Sequence, residues 1–380
     1  MRIVHVANFH GPRSGGLRTT MRELAREYGN RGVHVELIVP GRRHRSELLD
    51  GVLTHTVAAP TVPRSGGYRV ILDVPQVLRL LRAAQPDVVE ISDRLTLLRA
   101  ADWARAHGIR SAMFAHERID GVIGANAAWL PATSIANAMN RRAWRRVDHV
   151  VATTAFAAGE FRRIGHEPAI VPLGLDTSLF SPARRAVKGE AIRDRPLRIG
   201  MVSRLSQEKS PELAIEALRV AHRLGLPAEL HVLGDGPLRP ALESRAAGLP
   251  VTFHGFIAER SALAQHLADF DVVLAPGPIE TFGLAALEAL GCGTPVVANR
   301  RSALPEVIRD AGLTADNEPT EWFIKASTLA AAGAAGRARA RSIALEYSWR
   351  ATADRLLNLY GAAPTTRTAQ SGAAERRQAA

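Results

Sequence analysis

The sequence predicts an α/β protein in which two doubly wound parallel sheets follow one another along the chain. Strand-like runs alternate with amphipathic helical stretches through the first half, and a second alternation of the same kind begins at residue 197. A polar, charged segment without apolar periodicity, residues 183–196, separates the two alternations. The length of 380 residues is sufficient for two domains.

The first alternation predicts strands at residues 3–7, 33–39, 52–57, 88–91, 110–114 and 149–153. Between them, helices are expected at residues 17–31, 69–84 and 95–107. The second alternation predicts strands at 197–202, 230–233 and 251–254, a helix at 211–224 and a C-terminal helix at 348–361. Ligands of parallel sheets bind beyond the carboxyl ends of the strands, so the residues that follow each run are the candidates for function.

The stretch 275–299 carries the strongest chemical signal. It is typical of a strand end, a Pro/Gly loop, a short apolar helix and a second strand, with seven residues between Glu280 and Glu288. Helical side chains tilt toward the N-terminus, so both acids can point into one cleft. The helix opening, 281–284, contains no acid, and its free N–H groups favour a bound phosphate. This combination suits a sugar nucleotide. A solvated helix with two ordinary acids is the simpler interpretation, but a helix of Ala, Leu and Gly is expected to be buried.

The E-x7-E pattern and the Gly-Thr-Pro-Val-Val run after it resemble the donor-site signature of retaining glycosyltransferases of family 4. Residues 172–176 and 203–209 resemble two further motifs of that family, and the likeness spans nearly all of residues 1–360. It implies the GT-B architecture, with two Rossmann-like domains that face each other across a cleft and a C-terminal helix that crosses back to the first domain. The implied domains are 1–180 on the acceptor side and 197–345 on the donor side. A crossover helix at 346–361 and a disordered tail at 362–380 complete the division.

The resemblance also implies roles for individual residues. Glu280 would hold hydroxyls of the donor sugar, Glu288 would bind the nucleotide ribose, and His116 would contact the sugar at the reaction centre. Arg204 and Lys209 would neutralise the diphosphate while the glycosidic bond breaks. A surface ion pair of Lys209 with Glu208 is the simpler alternative. The other residues expected around the donor are Gly15, Gly16, Gly255, Phe256, Ile257, Thr281, Phe282, Gly283 and Leu284.

Charged residues at other strand ends of the first half are candidates for the acceptor. Asp93, Arg94 and Arg118 follow two predicted strands, and Arg18 lies in the first helix. Guanidinium groups could clamp an acceptor phosphate bidentately while the acid fixes them or a polyol hydroxyl. A set of salt bridges that holds the loops is an equally good interpretation.

The composition indicates an anionic partner. The formal net charge is +12, which favours a nucleotide, a phospholipid surface or nucleic acid, although an Arg-rich composition can also reflect a GC-rich genome. Basic stretches at 41–45, 64–69 and 132–147 point to a membrane surface when taken with the net charge. The helix in 132–147 alone is more simply interpreted as one that packs on its own sheet with a solvated basic face.

Further features of the sequence bear on where in the cell the protein is found. No run is long enough to span a membrane, no signal peptide is expected before the first strand, and Cys292 is the single cysteine. We therefore expect a cytoplasmic protein that lies peripherally on the inner face of the plasma membrane. Aromatic residues make up only 5% and no nucleic-acid-binding motif is present, so we expect no nucleic acid partner.

Three short segments narrow the substrate. GPRSGGLRTT, SDRLTL and HERID resemble actinobacterial mannosyltransferases that act on phosphatidylinositol mannosides, which implies GDP-mannose as donor and an anionic lipid-linked acceptor. No metal is required for this chemistry, although Mg²⁺ is compatible with it. A transferase that uses a UDP-sugar and a soluble acceptor, and a non-hydrolysing sugar-nucleotide epimerase, stay open as alternatives.

Overall fold

The computed structural model describes residues 1–11, 15–62, 67–127, 129–186 and 195–361. Within these residues the chain forms two lobes, each built on one sheet whose central strands are buried along their length. Buried strands of this kind require cover on both faces, as in doubly wound folds. The predicted α/β class with two such sheets is confirmed. The predicted disordered tail, 362–380, lies outside the described residues, as do residues 64–66 of the basic stretch 64–69.

The first lobe contains an eight-stranded sheet in the order β3-β4-β2-β1-β5-β6-β7-β8, as far as the described residues show. Neighbouring strands are parallel except β3 and β4, which form an antiparallel hairpin. The strands are β1 Arg2–Ala7, β2 His34–Gly41, β3 Arg45–Leu49, β4 Val52–Ala58, β5 Val88–Ser92, β6 Arg110–Ala115, β7 His149–Ala152 and β8 Ala169–Ile170. The helices are α1 Gly16–Gly29, α2 Val74–Ala84, α3 Leu98–Ala106, α4 Ile119–Asn126, α5 Ala132–Trp144 and α6 Ala155–Arg162.

Two local features of the first lobe differ from the prediction. Strand β3 was not predicted because its side chains are mostly exposed and its apolar pattern is weak. The turn after it, Asp50-Gly51, has positive φ at both residues, which is the geometry of a two-residue hairpin loop. Helix α2 begins at residue 74 rather than 69, because the Asp73 carboxylate accepts from the backbone N–H of Gln76 and caps the helix there.

The second lobe contains a six-stranded parallel sheet in the order β11-β10-β9-β12-β13-β14 over the described part of the chain. The strands are β9 Leu197–Val202, β10 Ala228–Leu233, β11 Val251–Gly255, β12 Val272–Ala275, β13 Val296–Asn299 and β14 Gly312–Ala315. The helices are α7 Glu212–Arg223, α8 Arg239–Arg245, α9 Arg260–Asp269, α10 Leu284–Gly291, α11 Leu304–Ile308, α12 Pro319–Ala331, α13 Gly333–Ala344 and α14 Trp349–Leu359. Helix α10 begins at Leu284, so the predicted opening at residue 281 is three residues too early.

In each sheet the early strands of the chain lie on one side of the first strand and the later strands lie on its other side, so the strand order has one switch point. This switch lies between β1 and β5 in the first lobe and between β9 and β12 in the second. Crossover connections leave to opposite sides at such a point, and a crevice opens beyond the carboxyl ends of the strands. The predicted site residues lie in the segments that follow β1, β5, β6, β9, β11 and β12. The topology therefore brings the two predicted halves of the site to corresponding positions in the two sheets.

Helix α14 crosses back to the first lobe, as predicted. Its Asp354 carboxylate accepts from Arg31 Nε at 2.7 Å, and Thr352 Oγ1 donates to the carbonyl of Pro172 at 2.8 Å. Leu175 forms an isolated parallel bridge with Ser348 at the start of this crossing. The segment between the lobes and the last helix thus hold each other in place.

Gly174 allows this close approach, and we predict that Gly174→Ala lowers the thermal unfolding midpoint. A Cβ at residue 174 would overlap the backbone nitrogen of Trp349, which cannot move without shifting the start of α14. Overpacking of this kind typically costs about 1–3 kcal/mol. Gly159→Ala is the matched control, because a Cβ there meets nothing within 4 Å and residue 159 is helical. The control should keep or raise the midpoint. Equal midpoints for the two variants would contradict the packing described here.

Candidate active site

The first turns of two helices meet at the cleft, one from each lobe. A Cβ on Gly16 at the start of α1 would lie 3.9 Å from Leu284 Cδ1 at the start of α10. Neither helix has an acidic residue in its first turn or a side chain that caps it. The N–H groups and the dipoles of both helices therefore favour negative charge in the same region. This arrangement suits a phosphate group between the lobes, as predicted for Gly15, Gly16 and Leu284.

Lys209 and Glu280 form an ion pair between two strand-end loops of the second lobe. Lys209 Nζ lies 2.5 Å from Glu280 Oε2, and both side chains are partly buried. Burial alone would lower the pKa of Lys209, but the Glu280 carboxylate outweighs it and raises the pKa above its ordinary value. Lys209 is therefore held as a cation at the cleft. The alternative pairing of Lys209 with Glu208 is wrong, since Glu208 pairs with Arg204.

Arg204 lies between the two lobes. Its guanidinium forms an ion pair with Glu208 and lies 5.1 Å from the ring centroid of Tyr68, which belongs to the first lobe. Burial opposes the charge of Arg204, yet the neighbouring Glu208 carboxylate leaves its pKa raised. Arg204 and Lys209 are thus two fixed cations on one loop, at the carboxyl end of β9. Neither Glu208 nor Tyr68 was predicted as a site residue.

The loop from Glu280 to Gly283 is fastened to the first lobe. The Thr281 carbonyl accepts from the hydroxyls of Thr153 and Thr154 at 3.1 and 2.9 Å. The Thr281 hydroxyl in turn donates to the carbonyl of His116 at 2.5 Å. Gly283 has φ of +80°, and a Cβ there would overlap Leu304, so both backbone conformation and packing require glycine. Phe282 is buried and packs edge-to-face on Tyr347.

His116 directly follows β6, where the sequence predicted it. Its ring stacks on Phe114 with centroids 5.5 Å apart, and its Nε2 lies 2.8 Å from Ser92 Oγ at the end of β5. Burial, with smaller effects of His5 and Arg94, lowers the pKa of His116 to about 3. The imidazole is therefore neutral at pH 7. The structure brings His116 and Glu280 together through Thr281.

Glu280 and Glu288 differ in exposure and in partner, and their sharing of one cleft stays a prediction. The Glu280 side chain is 28% exposed, whereas the Glu288 side chain is 6% exposed and lies 2.9 Å from Arg260 Nη1. Glu288 is one of the buried residues of α10 and faces Arg260 at the start of α9. Burial raises the pKa of Glu288, and Arg260 partly offsets this effect. The ribose-binding role of Glu288 stays a prediction that would require Arg260 to share the carboxylate.

The predicted acceptor residues Asp93 and Arg94 are engaged inside the first lobe. Asp93 accepts from the backbone N–H groups of Leu95 and Leu97 at 3.0 and 2.9 Å. Arg94 donates to Asn140 Oδ1 at 2.6 Å, to Glu160 Oε2 at 2.8 Å and to the carbonyl of Glu117 at 2.6 Å. Both side chains are buried. Their contacts favour the alternative interpretation, in which these groups hold the strand-end loops.

The two other predicted acceptor residues lie nearer the surface. Arg118 pairs with Asp120 at 2.8 Å and lies over the ring of Phe156, 4.5 Å from its centroid. Arg18 is exposed on the first turn of α1, close enough to His10 to contribute to the lowering of its pKa to about 4. Arg18 is the predicted acceptor residue that lies on the same helix turn as Gly16.

The predicted nucleobase segment lies at the carboxyl end of β11. Gly255 has φ of +74°, and its carbonyl accepts from the backbone N–H of Gly234 at 2.8 Å. Phe256 is exposed and Ile257 packs against the core. Strand β11 is the edge of the sheet, so this segment lies apart from the Lys209–Glu280 pair.

The basic helix of residues 132–147 packs on the first lobe, as the simpler interpretation held. Trp144 stacks on His166 with centroids 4.5 Å apart and also contacts Phe161, so its ring is turned toward the lobe. Arg141, Arg142 and Arg145 are exposed on the other face. Trp129, in the connection between α4 and α5, is 84% exposed. The exposed tryptophan of this region is therefore Trp129, which the sequence did not single out.

Two features are absent from the described residues. In the part of the chain that the structure describes, no helix is long and apolar enough to cross a bilayer. No group of three or more His, Cys, Asp or Glu side chains among those residues is arranged to hold a metal ion.

Comparisons with known proteins agree with this geometry. Residues 14–179 match the family described as Glycosyltransferase Family 4, and residues 196–332 match the one described as Glycosyl transferases group 1. The chain is 45% identical over 375 residues to the GDP-mannose-dependent alpha-(1-6)-phosphatidylinositol dimannoside mannosyltransferase of Mycobacterium tuberculosis. That match covers 97% of this chain and 98% of the relative. Identity to the D-inositol 3-phosphate glycosyltransferase of Stackebrandtia nassauensis is 29% over 395 residues, covering 92% and 87%.

Solved structures share the fold. The sucrose-phosphate synthase of Thermosynechococcus elongatus superposes with a TM-score of 0.76 at 18% identity, covering 95% of this chain and 98% of that one. Anabaena HepE in complex with UDP and glucose gives a TM-score of 0.73 at 16% identity, covering 95% and 99%. Together with the two parallel sheets, these similarities confirm the predicted GT-B architecture.

The lowered pKa of His116 predicts a loss of stability in mild acid. The unfolded chain takes up this proton near pH 6.5, the folded chain only near pH 3, so the folded state binds fewer protons between these values. Its free energy of unfolding should therefore fall by about 2 kcal/mol between pH 7.5 and pH 5 from this group. Urea unfolding of the wild type and of His116→Gln at both pH values measures this. The variant should lose about 2 kcal/mol less, and parallel pH curves would contradict the assignment.

Proposed function

The chain belongs to the retaining glycosyltransferases of family 4, and we propose that it transfers mannose from GDP-mannose to a phosphatidylinositol mannoside-type lipid acceptor. The observation that carries this proposal is the 45% identity, over nearly the full length of both chains, to the mycobacterial dimannoside mannosyltransferase. The two fixed cations and the neutral histidine at the cleft support it, because they match the needs of a diphosphate leaving group and a sugar.

Arg204 and Lys209 would bind the donor diphosphate. A diphosphate competes with the Glu208 and Glu280 carboxylates for these cations and offers more negative charge in the same space. Once Lys209 turns to the phosphate, Glu280 can accept hydrogen bonds from sugar hydroxyls. The facing first turns of α1 and α10 add N–H groups to the phosphate site. As the glycosidic bond breaks, the charge that develops on the leaving oxygen is stabilised by groups that are already oriented.

The transfer would proceed on one face of the sugar. The bond from the anomeric carbon to the phosphate oxygen breaks, and the bond to the acceptor oxygen forms on the same side, which retains the anomeric configuration. The acceptor's proton passes to the departing phosphate oxygen. Glu280 is assigned to hydroxyl binding, so no carboxylate is needed as a nucleophile. The chain's contribution is positioning and charge stabilisation.

Contacts between the lobes would keep water out of the reaction. The Glu306 carboxylate of α11 accepts from the backbone N–H groups of Ala155 and Phe156, at 2.8 and 2.7 Å, and so caps α6 of the other lobe. Together with the bonds of Thr281 to Thr153 and Thr154, it fastens the second lobe to residues 153–156 of the first lobe. Exclusion of water favours transfer to the acceptor over hydrolysis of the donor.

We further propose that the first lobe rests on the inner face of the plasma membrane, from the cytoplasmic side. Arg141 and Arg142 near the end of α5, and Arg145 directly after it, present exposed positive charge, and the exposed ring of Trp129 lies just before the other end of this helix. Basic residues attract anionic headgroups, and tryptophan prefers the bilayer interface. A lipid-linked acceptor would thereby be brought to the lobe that carries Arg18 and His116.

Removal of the site side chains should abolish transfer. With labelled GDP-mannose and purified phosphatidylinositol mannosides, and with products identified by mass, Glu280→Ala, Lys209→Ala and His116→Ala should each lower kcat by on the order of 10²-fold or more. Glu167→Ala is the matched control, because Glu167 pairs with Arg162 on the surface of the first lobe at 2.6 Å. The control should keep full activity. An active Glu280→Ala enzyme would refute the donor site.

The nucleotide and the reaction class are tested separately by two simple measurements. GDP should raise the thermal unfolding midpoint more than UDP does at equal concentration. A larger effect of UDP would replace GDP-mannose by a UDP-sugar. Release of free nucleotide and an isomerised sugar without any lipid acceptor would assign the chain to the epimerases instead.

The membrane surface is tested by charge reversal. Sedimentation with vesicles of phosphatidylcholine and phosphatidylinositol should pull down the wild-type protein at low salt, and less of it at high salt. Replacing Arg141, Arg142 and Arg145 together by Glu should lower the bound fraction several-fold. The same change at three exposed arginines elsewhere, Arg223, Arg339 and Arg350, gives the same change in net charge and should bind nearly as the wild type does. Equal loss in both variants would mean that binding depends on net charge alone.

A further inference from the structure

A buried carboxylate lies below the candidate active site in the first lobe. Glu90, on β5, is 1% exposed, and its Oε1 accepts from the hydroxyls of Tyr28 and Tyr360 at 2.7 and 2.8 Å. Its Oε2 lies 2.8 Å from Nδ1 of His5, on the neighbouring strand β1. Strand register places His5 directly opposite Glu90. A buried carboxylate is costly unless hydrogen bonds satisfy it, and here three donors surround it.

The chain of hydrogen bonds continues from Glu90 to the cleft. His5 Nε2 lies 2.7 Å from Ser92 Oγ, and the same oxygen lies 2.8 Å from His116 Nε2. The ring of Phe114 stacks on both imidazoles, with centroids 5.4 Å from His5 and 5.5 Å from His116. Four side chains, those of Glu90, His5, Ser92 and His116, therefore form one continuous path from the interior to the reaction centre.

The number of protons available along this path determines which group donates and which accepts in each hydrogen bond. An ionised Glu90 only accepts, so His5 Nδ1 must carry a proton. A neutral His5 then has a bare Nε2, which accepts the hydroxyl proton of Ser92. Since the Ser92 hydroxyl has donated its one proton, its oxygen can only accept from His116, whose Nε2 must be protonated. The Nδ1 of His116 is then left with its lone pair.

The two tyrosines are held as hydrogen-bond donors to Glu90. Burial and the nearby Glu90 carboxylate raise the pKa of both Tyr28 and Tyr360 well above 10, which keeps their hydroxyls as donors. The carboxylate charge is shared among three N–H and O–H donors, so a second charge on His5 is not required. If His5 were doubly protonated, every bond from Ser92 onward would reverse and the His116 proton would lie on Nδ1.

We infer that Glu90, His5 and Ser92 are positioning residues that hold His116 as the neutral Nε2–H tautomer, with Nδ1 as a hydrogen-bond acceptor for a substrate hydroxyl group. The assignment of the hydroxyl to a sugar rests on the proposed function, whereas the tautomer does not. Tyr360, the residue that follows α14, donates to Glu90. The C-terminal end of the described chain therefore also helps to orient His116.

Nitrogen-15 NMR of the full-length protein, labelled on histidine, tests the tautomer directly. The imidazole nitrogen shifts distinguish a protonated nitrogen from a bare one, and the His116 signals are identified by their absence in His116→Gln. At pH 7 we expect a protonated Nε2 and a bare Nδ1. In Glu90→Gln the side-chain amide can donate to His5, so the His116 tautomer should become mixed or reversed. A protonated Nδ1 in the wild type would overturn the inference.

Kinetics provide the second readout. Ser92→Ala breaks the path, so kcat should fall by on the order of tenfold or more while KM for GDP-mannose changes by less than about twofold. Ser111→Ala is the matched control, because Ser111 is also buried on this sheet and its hydroxyl donates to Asp148 at 2.9 Å, away from the path. It should keep the wild-type kcat. Wild-type kcat in Ser92→Ala would overturn the positioning role.

Failure of this inference is distinguishable from failure of the proposed function. If the wild type has the expected tautomer but transfers no mannose, the proposed substrates are wrong and the inference about the tautomer stands. If it transfers mannose with the His116 proton on Nδ1, the inference about the tautomer is wrong and the proposed function stands.

Discussion

The ion pair between Lys209 and Glu280 is the interaction on which the candidate site depends. The two residues come from loops at the ends of β9 and β12, the two strands that flank the switch point of the second sheet. Partly buried charges of opposite sign hold each other in place, since each would be costly alone. The pair thereby fixes the position of the ammonium and the conformation of the loop that carries Glu280. That loop is also where Thr281 meets the first lobe, so the pair fixes Lys209 relative to His116.

The sequence predicted the strands and helices that have a clear pattern of apolar residues, and it missed elements and partners that depend on tertiary contacts. Strands β1, β5 and β9 are mostly apolar runs, and their ends could be located within one or two residues. Family motifs then placed Arg204, Lys209, His116 and Glu280, which the structure gathers at the cleft. Strand β3 escaped because an exposed edge hairpin has little apolar pattern, although its Asp50-Gly51 turn was a usable signal.

Partners of site residues were harder to predict because they are distant in the sequence. Glu288 was placed correctly on its helix, yet Arg260 on α9 decides whether its carboxylate is open, and no spacing rule connects the two. Asp93 and Arg94 lie at a strand end, as candidates for binding do, but local backbone N–H groups and the buried Glu160 engage them. His5 and Glu90 are polar residues in otherwise apolar strands, which was the signal available for the buried path to His116.

Tyr360 has a consequence for how the protein reaches its folded state during synthesis. The first lobe contains residues 2–170, but one of the three donors to its buried Glu90 comes from a residue made after the whole second lobe. Ribosomes add about 5–20 residues per second, so the amino-terminal lobe spends on the order of ten seconds or more with that carboxylate short of a donor. An unsatisfied buried acceptor costs about 1–3 kcal/mol. The emerging lobe is therefore expected to stay loosely packed around His116 until α14 and Tyr360 dock, so this histidine acquires its final geometry only after the second lobe has been made.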